Sequence, residues 1–135
     1  MRSRGSSSLL AMIAILVLGT VATIGLAGRS SDLAFERRAL GRVCARWAAE
    51  AGVAEARGVL AAGQRPVGFH GSLPPATGQT RAGFTVRGSA EVGAYVVQSE
   101  GACTASDGHV TRAVITVRFA VREGRWAVAS WHEGP

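Results

Sequence analysis

The chain predicts an α+β fold: a long N-terminal helix, transmembrane at first and amphipathic afterwards, packed on a small antiparallel sheet of three to four strands. Three observations predict it. An uncharged apolar run occupies residues 9–27, helical spacing of apolar residues continues beyond it, and alternating segments follow a Gly/Pro-rich stretch. Together they divide the 135 residues into a short basic start (1–5), a membrane helix (6–28), its amphipathic continuation (29–62), a connecting loop (63–83) and the sheet (84–135).

The apolar run comes first because it restricts the rest. A bilayer core needs roughly 20 apolar residues at 1.5 Å each, and this run of Leu, Ile, Val, Ala, Met, Gly and Thr supplies about that many with no charge inside. Arg2 and Arg4 precede it with no acidic residue among them. The positive-inside bias therefore places the N-terminus in the cytoplasm and the residues beyond Arg29 outside, as a single-pass protein of the cytoplasmic membrane. A cleaved secretory signal is the competing reading, with Ala22 or Ala27 as its cleavage position. Its apolar region is typically about 7–15 residues and opens into a loop, whereas the helical spacing here runs on.

Past the membrane run, Asp32 and Glu36 near the start and Arg57 near the end suit a helix dipole. Leu33, Leu40, Val43, Cys44, Trp47, Ala51 and Ala54 fall near one stripe, while Arg37, Arg38, Arg42, Arg46 and Arg57 lie largely off it. The stripe is expected to face the sheet, since a sheet this small must have one face covered and this helix is the available cover.

Over residues 63–83 the composition turns to Gly, Pro, Ser, Thr and Gln, with Pro66, Pro74 and Pro75 opposing regular structure, so a surface connection is expected. Strands are then predicted over 83–87, 93–99, 110–122 and 125–131. The third alternates most clearly, Ala113, Ile115, Val117, Phe119 and Val121 sharing one face against Arg112, Thr116, Arg118 and Arg122. Two registers are open for the last hairpin. A two-residue turn at Glu123-Gly124 sets Val121 opposite Trp126 and Phe119 opposite Val128, with Trp131 outward beside Thr116 and Arg118 as a candidate partner contact. A three-residue loop with a bulge exchanges Trp126 and Trp131.

Composition argues against most chemistry. The formal charge is +6 and every basic residue is Arg, but the arginines are scattered and no nucleic-acid motif appears, so no nucleic-acid partner is expected. His70, His109 and His132 lack metal-ligand spacing, and no phosphate-binding or nucleophile motif is present. No catalytic residue, metal or cofactor is expected. Asp107 reads as a turn former. Cys44 and Cys103 belong to no CxxC pair. Outside the membrane they could form a helix-to-sheet disulfide; they could equally be two small buried residues that never meet, since bonding needs Cα atoms within about 7 Å.

At this point the residues resemble a family. Arg4-Gly5 before Ser6 and the apolar run looks like the class III leader of type IV pilins and type II secretion pseudopilins. The segment Ala48-Ala49-Glu50-Ala51-Gly52-Val53-Ala54-Glu55-Ala56 resembles the Ala/Glu-rich helix of PilX-type minor pilins. Residues 95–101 and the ending 125–133 are similar to their closing strands. The resemblance implies a pilin-like fold, cleavage by prepilin peptidase between Gly5 and Ser6 of a leader at 1–5, and partners that are other pilins or pseudopilins, met through the N-terminal helix. Where most pilins carry glutamate five residues after the cleavage site, this chain has Leu10. A buried amine without its carboxylate is costly at every repeat of a filament. The resemblance therefore implies a low-copy initiating or tip component of a pilus or secretion-type filament. The competing function is a single-pass anchored periplasmic binding module that never enters a filament; a membrane-anchored enzyme would need convergent polar groups that the sequence does not offer.

Overall fold

A computed structural model describes the backbone of residues 4–134 and the side chains of residues 33–134. One helix, α1 (Arg4–Ala61), is followed by five strands: β1 (Gly68–Leu73), β2 (Gln79–Glu91), β3 (Ala94–Ala105), β4 (Val110–Arg122) and β5 (Arg125–Gly134). The strands form one antiparallel meander in the order β1-β2-β3-β4-β5. The chain divides into two compact units, Met1–Glu36 and Arg37–Pro135.

These elements correct the expected fold class. The sheet has five strands where three or four were predicted, and strands, not helix, make up most of the second unit. Among the described residues no helix is long and apolar enough to cross a membrane. The side-chain-described stretch of α1, residues 33–61, carries Arg37, Arg38, Arg42, Arg46 and Arg57, and the apolar run at 9–27, with Leu10, lies outside it. A long transmembrane-then-amphipathic helix on a pilin-like sheet is therefore not the fold class described by these residues.

The connecting loop is also revised, because residues 63–83 contain β1 and the start of β2. Pro66 on one side and Pro74 and Pro75 on the other bracket β1 instead of interrupting it, which an edge strand tolerates. One of the strand's two glycines has a packing use. A Cβ at Gly71 would meet the Phe84 ring, which also lies edge-on to Phe69 at 6.2 Å.

Turns close the meander by backbone chemistry. Glu123 and Gly124 both take positive φ, 53° and 76°, the left-handed pair of a two-residue type I′ turn. Arg122 opposes Arg125, Val121 opposes Trp126, and Phe119 opposes Val128. Between β3 and β4, the His109 amide donates to Asp107 Oδ1 at 3.0 Å, so Asp107 shapes the turn.

The core lies between α1 and the sheet. Ala49, Val53, Ala56 and Leu60 meet Phe84, Val86, Tyr95, Val97, Ile115, Val117 and Phe119. Tyr95 donates its hydroxyl to the Pro66 carbonyl at 3.1 Å, tying the end of the connection to β3. Ser99 is the one buried polar side chain described in this core, and its hydroxyl has no partner.

Candidate interaction faces

Within residues 37–61, α1 has two dissimilar faces. The buried one is built from small residues: Gly41, Cys44, Ala45, Ala48, Ala49, Gly52 and Ala56, with Val53 and Leu60 toward the end. Small side chains let the helix backbone approach the sheet until there is no room for more. A Cβ on Gly101 of β3 would collide with the Ala45 carbonyl and the Ala49 amide, and one on Gly52 would collide with Ser99 and Phe84. Gly101 is thus where helix backbone and strand backbone meet, and a residue with a side chain cannot occupy it without moving one of them.

The large apolar residues point away. Leu40 is 52% exposed, Val43 49% and Trp47 65%, and Ala54 is exposed as well. Most of the stripe expected to face the sheet therefore faces solvent in this single chain. The apolar stripe itself exists at the predicted spacing. The correction concerns its direction, and its reason is steric: the cross-strand surface at Gly101 and Ser99 accepts alanine and glycine, not leucine and tryptophan.

Cys44 sits at the margin between the two faces and is bonded to Cys103 of β3, with the Cα atoms 6.0 Å apart and a separation of 59 positions in sequence. The bond fastens α1 to the middle of the sheet.

Trp131 and Arg118 were expected together on the outer face of the sheet. The structure separates them. Beyond Phe119–Val128 the pairing shifts by one, so that Arg118 opposes Ser130 and Val117 opposes Trp131, leaving Ala129 as the extra residue of a bulge. One inserted residue turns the rest of the strand over, which puts Trp131 on the helix-facing side of the sheet. Arg118 stays outside, 3.2 Å from Glu91. Trp131 Nε1 donates to Glu133 at 3.3 Å. Glu133 in turn lies 2.9 Å from Arg46, which also holds Glu50 at 3.0 Å. Trp126 keeps the expected inward side, packing edge-on to Tyr95 with centroids 6.5 Å apart.

The outer face is polar. Thr85, Arg87, Gln98 and Glu100 with Val114 line an open depression of about 200 Å³, and Glu100 pairs with Arg112 at 3.3 Å. Exposed pairs of this kind contribute about 0–1 kcal/mol each, so this face reads as the solvated side of an antiparallel sheet. Among the described residues no group of three His, Cys, Asp or Glu could hold a metal ion. His70 and His132 lie on strands at opposite edges of the sheet. Gly5 and Ser6, the expected cleavage position, lie where side chains are outside the described residues.

The distinctive surface of this unit is the exposed apolar stripe of α1, and Arg46, Glu50, Glu91, Glu100, Arg112, Arg118 and Glu133 are engaged in exposed ion pairs. No family model, curated protein or solved structure matches this chain.

Proposed function

We propose that this chain is a structural subunit of the minor pilin or pseudopilin kind, a low-copy initiating or tip component that works by packing and not by catalysis. The observation that carries the reading is the outward stripe of Leu40, Val43 and Trp47. A lone soluble domain has little reason to keep a tryptophan and two branched aliphatics in water along one helix, whereas a subunit surrounded by neighbours does. The leader-like Arg4-Gly5-Ser6, the apolar run at 9–27 and Leu10 in place of glutamate support the same reading from sequence. The disulfide suits a domain lying outside the cytoplasmic membrane, in an oxidising compartment.

The test is the mass of the mature chain extracted from membranes of cells that contain a prepilin peptidase. The expected product begins at Ser6, and replacing Gly5 with a bulky residue leaves the precursor uncut. A chain that begins at Met1 and stays in the membrane identifies an anchored binding module outside any filament. One that begins after Ala27 identifies a secreted domain and ends the proposal.

A further inference from the structure

The two edges of the sheet are built differently. Along β5 the pairing with β4 slips at Ala129, and the strand carries Arg125 and Glu133; a bulge and charges of this kind discourage a further strand. β1 has neither. It pairs with β2 residue for residue from Gly68 to Leu73 without a shift, and no residue from Pro66 to Thr80 is charged. Its length is ordinary for a strand, and Pro66, Pro74 and Pro75 stand outside it, where they remove none of its amides. Among the described residues nothing pairs with its outer side. The Gly88 amide donates to the Val67 carbonyl at 3.1 Å. By alternation, Phe69, Gly71 and Leu73 turn their backbone groups toward β2, while Gly68, His70 and Ser72 turn theirs to the open side.

The exposed stripe of α1 stands beside this edge. Cys44 packs with Cys103, with Ala82 of β2 and with Leu73 of β1, so its flank of the helix faces β1. Leu40 and Trp47 are its neighbours one turn before and one turn after, on the same flank, whereas Arg46 reaches Glu133 of β5 from the other. The levels agree as well. Gly71 is opposite Phe84, Phe84 is opposite Gly101, and Gly101 lies under Ala45 and Ala49, in the turn that carries Trp47. Charge supplies a further preference. From Ala56 to Ala90 the charged residues are Arg57, Arg65, Arg81 and Arg87, with no acidic residue among them, and none of the four is in an ion pair among the described residues. Arg87 is opposite Gly68, which puts no side chain between that guanidinium and the open edge.

We infer that the free edge of β1 takes up an extended acidic segment of a partner protein as a further strand of the sheet. The segment's backbone pairs with Gly68, His70 and Ser72, and its side chains divide by alternation. Apolar ones on the helix side meet Phe69, Leu73, Leu40 and Trp47; carboxylates on the outer side meet Arg87. A second copy of this chain does not suit the place, because its own edge brings no carboxylate to Arg87 and a formal charge of +6 opposes the approach.

The inference rests on the folded unit and not on pilus assembly, and it is tested separately from leader processing. The full-length protein in mild detergent is titrated into a fluorescein-labelled peptide of strand length that alternates valine and glutamate, and binding is read by polarisation. A peptide that alternates valine and lysine is expected to bind at least about tenfold more weakly. His70→Pro removes an outward amide while leaving the bonds to β2, and lowers the affinity for the glutamate peptide about tenfold. Trp47→Ala lowers it about fivefold and Arg87→Gln about threefold, while Arg118→Gln on β4 leaves it unchanged. Retention of the Cys44–Cys103 bond on non-reducing gels shows that the variants still fold. No binding of the glutamate peptide, equal binding of the two peptides, or binding indifferent to His70→Pro would each overturn the assignment.

Discussion

The two faces of α1 between Arg37 and Ala61 are made of different residues for different neighbours. One carries glycine, alanine and cysteine and lies so close to β3 that Gly101 has no room for a methyl group. The other carries leucine, valine and tryptophan and is largely turned to solvent, with Leu40, Val43 and Trp47 49–65% exposed. Total hydrophobicity would rank the second face as the better core. Shape reverses the ranking, because the attraction between packed surfaces grows with contact and the small-residue face permits more backbone-to-backbone contact per turn. An apolar stripe on a helix therefore marks something to be covered without saying whether the chain itself covers it.

The comparison can be broken most severely at the disulfide, which holds the small-residue face down. The loop between Cys44 and Cys103 covers 59 residues, and closing a loop of that order stabilises the folded state by about 4 kcal/mol in the chain-entropy account. A Cys44→Ser, Cys103→Ser double variant should lose most of that in urea unfolding followed by tryptophan fluorescence. A change below about 1 kcal/mol would show that packing alone fixes the helix.

A slightly smaller effect is expected at the closest approach. Gly101→Val forces a branched side chain against the Ala45 carbonyl and Ala49 amide, which are rigid helix backbone, so the cost should reach about 3 kcal/mol, the upper end for overpacking. The same substitution at Gly58, where an added Cβ meets nothing within 4 Å, should change stability by only a few tenths of a kcal/mol, mainly through helix propensity. Equal costs at the two glycines would mean that the close approach at Gly101 is not there.

Much of the sheet was legible before the fold was known. The alternation from Ala113 to Val121 marks β4 because a half-buried strand must alternate, whereas at the last turn Gly124 suits left-handed φ but Glu123 does not, so two registers stayed open in the sequence. Other features left weaker traces. β1 is short, carries two glycines and stands between prolines, so its composition is that of a loop, and it is a strand because β2 pairs with it along its length. The bulge at Ala129 has no glycine or proline to announce it, yet it moves Trp131 from one face to the other. Direction was the hardest part. Gly41, Ala45, Ala48, Ala49, Gly52 and Ala56 follow helical spacing as well as the larger stripe does, and a search weighted by side-chain size passes over them. The available signal was Gly101 in the middle of a strand: a glycine there marks a close approach by another backbone, and only small helix residues permit one.

Trp47 and Ala48 are adjacent in sequence, but Trp47 is 65% exposed and Ala48 is fully buried. Their responses are best compared by urea unfolding at concentrations low enough to keep the protein monomeric. Trp47→Ala should change stability by no more than about 0.5 kcal/mol, as for an exposed position. Ala48→Leu should cost about 1–3 kcal/mol, as for an overfilled core. If Trp47→Ala instead costs the roughly 3–5 kcal/mol of a buried aromatic and Ala48→Leu is tolerated, the helix is turned the other way and the two-faced account is wrong.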